Sequence, residues 1–176
     1  WFWGKIVGRY IVVFTPVFLA MLGAVGWATI KDIEIPWGMF GYYTALLAVM
    51  AMCFLGIGML ISAVARSTDI AQGAAFMVWL TLLLFLDLIL LGVMIQGKVA
   101  PEVAVGVALV NPLQVFRTAA LALFDPQLIV LGPSAYVILD TFGLVGYKVF
   151  ALVYPAALGL LSATIGYFIF RRGDLP

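Results

Sequence analysis

Few side chains in this sequence carry chemistry, and their spacing decides which chemistry is open. Histidine is absent, which removes histidine-ligated haem, the usual zinc sites and the commonest general base. The acids are scattered. Asp87 lies inside an apolar run, while Glu102, Asp125 and Asp140 are spread along a later stretch. None forms a tight pair, and no nucleophile motif stands beside a base, so there is no catalytic constellation. The chain is therefore not expected to be an enzyme. Met50, Met52 and Cys53 offer the soft sulfur that suits Cu(I), and Met50 and Cys53 share a helical face at i, i+3. Methionine also fills gaps in apolar packing, and this run sits deep in an apolar stretch. Packing is the preferred reading, and no metal site is assigned. No G-x-x-x-x-G-K-[ST] loop occurs, so a nucleotide cradle of that kind is not expected on this chain.

The elements that must position these residues follow from composition. The chain has 176 residues, of which 66% are hydrophobic and 10% charged, with a mean hydropathy of +1.22. Soluble domains carry about 25% charged residues, so this chain cannot cover a globule with polar groups. A net charge of +1 argues against nucleic acid as a partner, because basic clusters supply that affinity. The lone Cys53 forms no internal disulfide. The expected fold is all-α: one polytopic membrane domain over residues 1–176, with lipid as its solvent. A span needs about 20 apolar residues, and lipid forces each span to be helical. Four segments qualify, at about 10–30, 38–65, 70–96 and 146–170.

Orientation follows from Lys and Arg. Lys5 and Arg9 precede the first span, Arg66 follows the second, and Arg171 and Arg172 follow the last. Placing these on the cytoplasmic side makes every turn consistent and puts both ends there. Trp1, Trp3, Trp37, Tyr42, Tyr43, Tyr147 and Tyr167 fall at expected borders, as interfacial belts do. Asp87 then lies about eight residues, roughly 12 Å, from the outer end of its span. An acid there costs about 2.5–3.5 kcal/mol on insertion scales. Either it serves a substrate, a proton or conformational coupling, or a neighbouring helix satisfies it; Lys148 and Arg117 are the available partners.

The outer side holds a stretch, 99–142, that is apolar yet cut by prolines. Residues 99–110 are too few to cross. Asn111 reads as an N-cap and Pro112 as the first helical position, opening a helix over 112–124. Asp125-Pro126 repeats that cap-and-proline pattern, and Gly132-Pro133 breaks the chain again. The expectation is a series of short re-entrant or interfacial helices, since backbone breaks at membrane depth are tolerated only inside protein or beside water. Pro16 and Pro155 should kink their spans. Gly4/Gly8, Gly58/Ser62 and Ser162/Gly166 are small-x-x-x-small pairs that permit close helix approach. Arg66-Ser67-Thr68-Asp69 is a tight turn, in which Asp69 can cap the third span.

Gly4-Lys5 with Gly8, Ala65-Arg66-Ser67, Asn111-Pro112 with Phe116-Arg117, Leu139-Asp140-Thr141 and Phe170-Arg171-Arg172 stand in an order that resembles a known arrangement. It is similar to the membrane subunit of ABC-2-type transporters, and within them to the NosY-like permeases of nitrous oxide reductase maturation. The resemblance implies a bacterial inner-membrane permease, a second permease copy in a homodimer, and a separate ABC-type ATPase that binds the ATP. This chain itself is expected to bind no cofactor. NosY-like systems add a periplasmic β-helical partner and mechanical signalling. Such permeases have six spans, so two further spans and a coupling helix are expected before Trp1. Lys5, Arg9 and Arg66 are the candidates for cytoplasmic partner contact, Asp87 is the intramembrane polar candidate, and Asn111, Pro112, Phe116 and Arg117 shape the outer element. A second functional class also fits: a non-transporting structural or accessory subunit of a larger membrane complex, for example a respiratory one.

Overall fold

The computed structural model describes residues 2–85, 101–129 and 133–173, with side chains for 3–84, 105–129 and 137–171. All regular structure among the described residues is helical. Among the described residues, three helices are long and apolar enough to cross a membrane: Trp3–Ile30, Trp37–Val64 and Val137–Arg171. The expected third span, 70–96, is described only as far as Phe85. Its remainder, with Asp87, lies outside the described residues. The chain divides into two compact units, one of residues 1–64 and 155–176 and one of residues 65–154.

In the first unit, α1 (Phe2–Ile30) has 29 residues, about 43 Å of helix against a hydrocarbon core of about 30 Å. The helix is thus longer than a crossing requires. The helix ends where Ile33 N–H donates to the Ala28 carbonyl at 2.9 Å and Asp32 N–H to that of Thr29 at 3.3 Å. Asp32 has φ 51°, and this left-handed cap satisfies carbonyls that would otherwise be orphaned. Lys31 lies 5.3 Å over the Trp27 ring. The helix α2 (Trp37–Val64) follows, with Leu46, Met50, Cys53, Gly56 and Met59 buried. Their spacing of three and four residues makes one stripe.

That stripe meets the second part of α6 (Pro133–Gly173), where Pro155, Gly159, Ser162, Ala163 and Gly166 are buried. The approach is backbone to backbone. A Cβ on Gly159 would stand 2.7 Å from the Cys53 Cα, and one on Gly166 3.1 Å from the Leu60 Cα. A Cβ on Gly56 would run into the Gly159 carbonyl. Both contact positions advance together along the two chains, so α2 and α6 are parallel. At the other end of α1, the Trp3 and Tyr167 rings lie 6.3 Å apart, which brings the start of α1 to the end of α6. Of the three expected small-residue pairs, only Ser162/Gly166 lies in this contact. Gly4, Gly8 and Gly58 have nothing within 4 Å of a Cβ position.

The second unit opens with the Arg66 turn and α3 (Thr68–Leu80), which runs into a π-helical turn, Thr81–Phe85. Ser67, not Asp69, is the N-cap: its hydroxyl accepts from Ile70 N–H at 3.3 Å. Asp69 stands in the first turn, where its charge complements the helix dipole. The short helices α4 (Pro101–Val110) and α5 (Pro112–Phe124) then follow. Prolines open α4, α5 and α6, at the position where a missing N–H costs nothing. Asp125-Pro126 does not open a helix. Asp125 is the C-cap of α5, and Leu128 N–H donates back to its carbonyl at 3.0 Å in a turn. Leu128 holds φ 51°, a left-handed conformation that a right-handed helix cannot propagate through.

Both proline-containing spans remain helical through Pro16 and Pro155. The non-helical backbone inside α6 falls instead at Gly143, with φ 64° and ψ 166°, a region open essentially to glycine alone. The expected start of the last span, near 146, thus follows this break closely. Across it, Phe142, Phe150 and Tyr154 form a row of rings with centroids 5.2 and 5.3 Å apart.

Candidate functional site

The break between α4 and α5 is one residue wide, and that residue is fully buried Asn111. A helix end leaves donors and carbonyls without intrahelical partners. Away from water each orphan costs free energy, so the local bonds account for why the chain can break here. Asn111 Oδ1 accepts from Leu113 N–H at 3.0 Å, capping α5 as its sequence foretells. Asn111 Nδ2 donates to the Leu82 carbonyl at 2.7 Å. Leu82 belongs to the π-helical turn, where widened pairing leaves carbonyls poorly placed for the ordinary helical ladder. The backbone of Asn111 is also used: its N–H donates to Ala108 at 3.1 Å and its carbonyl accepts from Val115 N–H at 3.0 Å.

One residue earlier, the Val110 carbonyl has lost its helical continuation because Pro112 begins the next helix. Tyr154 O–H donates to it at 2.5 Å. Adjacent residues of the break are therefore held by two different elements, the π-helical turn after α3 through Leu82 and α6 through Tyr154. Along α5, Pro112, Val115, Ala119, Ala122 and Leu123 are buried on one helical face. Phe116 and Arg117 are half-buried, and both engage partners. Phe124 at the end is 83% exposed.

The remaining expected site residues fall as follows. Lys5 and Arg9 belong to the first unit and Arg66 to the second, and all three are exposed. Arg9 Nη1 donates to the Met59 thioether at 3.1 Å. Asp87 lies outside the described residues, and so do Lys98 and the side chain of Glu102. Met50 and Cys53 are buried in the α2 stripe, with the Cys53 backbone against Gly159.

Sequence reasoning missed five contributors. The Leu82 carbonyl is main chain and has no side-chain signature. Gly56 and Gly159 escaped because small residues were sought four apart within one helix, whereas here they face each other across two. Gly143 is a single glycine among many. Tyr154 alone carried a usable signal: a tyrosine hydroxyl deep in an apolar run needs an acceptor.

A family model described as ABC-2 family transporter protein matches residues 2–175. No curated protein and no solved structure matches the chain significantly.

Proposed function

The chain belongs to the ABC-2 transporter family, and from that premise we propose that it is the permease subunit of an ABC transporter, driven by a separate ATPase. The family match over nearly the whole chain carries this reading. The parallel register of α2 and α6 adds to it. Two parallel helices of one chain share a membrane when the segment between them recrosses it, so this register supports a reading with a further crossing between α2 and α6. The described part of the third span begins it. Four spans result, at positions that leave Lys5, Arg9, Arg66 and Arg171 on one side, the cytoplasmic side of a bacterial inner membrane.

In this scheme the outer element sits at depth. From Ser67 to Leu82 is fifteen residues, about 22 Å by helical rise, within a core of about 30 Å. Asn111 thus meets the third span inside the outer leaflet, and α4–α5 form a re-entrant pair. The Arg66 turn is the exposed start of that same span and the proposed contact for the ATPase. A push on the turn moves α3, the Leu82 carbonyl carries the movement to Asn111, and α4 and α5 follow as a unit. Tyr154 transmits the same displacement to α6. The work is delivered to the outer face either as transport of a substrate or as a mechanical signal. A second permease copy completes the membrane unit, and a NosY-like chain adds a periplasmic protein that reads the signal. ATP is bound and cleaved on the ATPase, and the permease does no covalent chemistry.

The test is recovery of the complex. Affinity-purified from its own membranes, the chain should bring down a Walker-motif ATPase whose turnover rises with the permease and falls on Arg66→Glu. Recovery with redox subunits and no ATPase would replace this reading with that of an accessory subunit.

A further inference from the structure

The π-helical turn Thr81–Phe85 is not explained by its own residues. The stretch reads Thr-Leu-Leu-Leu-Phe. It holds no glycine or proline, and leucine is among the better α-helix formers. Pairing from i to i+5 is rare, and such turns occur frequently at functional sites. The ordinary α form is therefore open to this stretch, and a contact from outside the turn has to select the wide one.

At the entrance, Thr81 N–H is shared between the Met77 and Val78 carbonyls, and the Thr81 hydroxyl donates to the Met77 carbonyl at 2.8 Å. Back-bonding of this kind slightly destabilises and bends a helix. Inside the turn, the Leu82 carbonyl accepts from Asn111 Nδ2 at 2.7 Å. Asn111 is fully buried, and its Oδ1 is already fixed on Leu113 N–H at 3.0 Å. The cap of α5 thus aims the amide nitrogen at Leu82. In the α form the Leu82 carbonyl would return to an amide four residues on, within its own helix. Tyr154 O–H, on the adjacent Val110 carbonyl at 2.5 Å, holds the same break without touching the turn.

We propose that the Asn111–Leu82 bond is a latch: it holds the third span in its wide form, and its release lets residues 81–85 close to α pairing. Closing removes the extra residue from the turn, so the helix at Phe85 rotates by about 100° relative to its start at Thr68. A displacement of α5 becomes a step of the span rather than a graded shift. The device rests on the permease reading for what drives it, and gives that load path two discrete states.

Solution NMR of the isotope-labelled chain in micelles reads the turn directly and needs no ATPase. Backbone contacts across residues 77–85 run from i to i+5 in the wide form and from i to i+4 in the α form. The parent should show the wide form as its main state, with μs–ms exchange at Leu82, Leu83 and Leu84. Asn111→Ser keeps a capping hydroxyl but is too short to reach Leu82. One interhelical hydrogen bond in a membrane protein shifts an equilibrium by about 3- to 20-fold, so the ratio of wide to α form should fall by that factor. Tyr154→Phe should leave the ratio unchanged. If the serine variant does not fold, exchange in the parent still decides. A ratio unchanged in Asn111→Ser, an equal fall in Tyr154→Phe, or a parent without exchange at Leu82–Leu84 would overturn the proposal. Such a failure leaves the permease reading standing, and failure to recover an ATPase leaves the latch standing.

Discussion

Replacing Asn111 with alanine removes two side-chain bonds at once, the one from Leu113 N–H at 3.0 Å and the one to the Leu82 carbonyl at 2.7 Å. Loss of an N-cap costs about 0.5–2 kcal/mol. An interhelical hydrogen bond in a membrane protein averages about 0.6 kcal/mol and reaches about 1.7. Asn111→Ala should therefore destabilise by about 1–3.5 kcal/mol. Serine separates the two contributions: its hydroxyl can cap α5, but it is too short to reach Leu82. Asn111→Ser should lose only the cross-element part, about 0.6–1.7 kcal/mol. Reversible unfolding in mixed micelles measures both, and hydrogen exchange locates them. The Leu113 amide should lose protection in the alanine variant and keep it in the serine variant. An alanine variant within about 0.5 kcal/mol of the parent, or a Leu113 amide equally protected in both, would refute the argument that this side chain holds the break together.

Four further substitutions probe the rest of the framework. Gly159→Ala places a methyl 2.7 Å from the Cys53 Cα and 2.8 Å from the Met52 carbonyl, backbone atoms that cannot swing aside. Its expected cost is about 1–3 kcal/mol, against a change within about 0.5 kcal/mol for Gly58→Ala, which meets nothing; equal melting temperatures would contradict the close crossing. Gly143→Ala meets no neighbour either, so its cost is purely that of holding φ 64°, about 1–3 kcal/mol; a stabilised variant would show that the helix prefers to run straight. Tyr154→Phe deletes only the hydroxyl on the Val110 carbonyl and should lower stability by about 0.6–1.7 kcal/mol, with no effect expected if that carbonyl finds another donor.

What could be read from the sequence was what is decided locally. Span lengths follow from runs of apolar residues, and the Asn111–Pro112 start follows from cap chemistry confined to two neighbours. The same local chemistry misleads at Asp125–Pro126, because the helix there is stopped two residues later by left-handed Leu128. Ser67 rather than Asp69 caps the third span for a similarly fine reason: only the residue just before the first turn has the extended backbone that lets a side chain reach back. The α2–α6 crossing was hidden because it depends on register between helices more than 90 residues apart in sequence. Gly56 and Gly159 matter as a facing pair, and neither is marked within its own helix. The anchoring of Asn111 was half legible. Its cap was visible, while its second bond ends on a main-chain carbonyl exposed by a π-helical turn that no residue type announces.

Cysteine accessibility tests the threading of the chain most directly. Cys53 is fully buried and should stay unlabelled, so single cysteines can be introduced at Ser67, beside Arg66, and at Gln127, just after α5. A membrane-impermeant maleimide added to spheroplasts should label Gln127→Cys at once and Ser67→Cys only after the membrane is opened. Labelling of both from the same side would place the Arg66 turn and the outer element on one face, and no load path from an ATPase across the bilayer would remain.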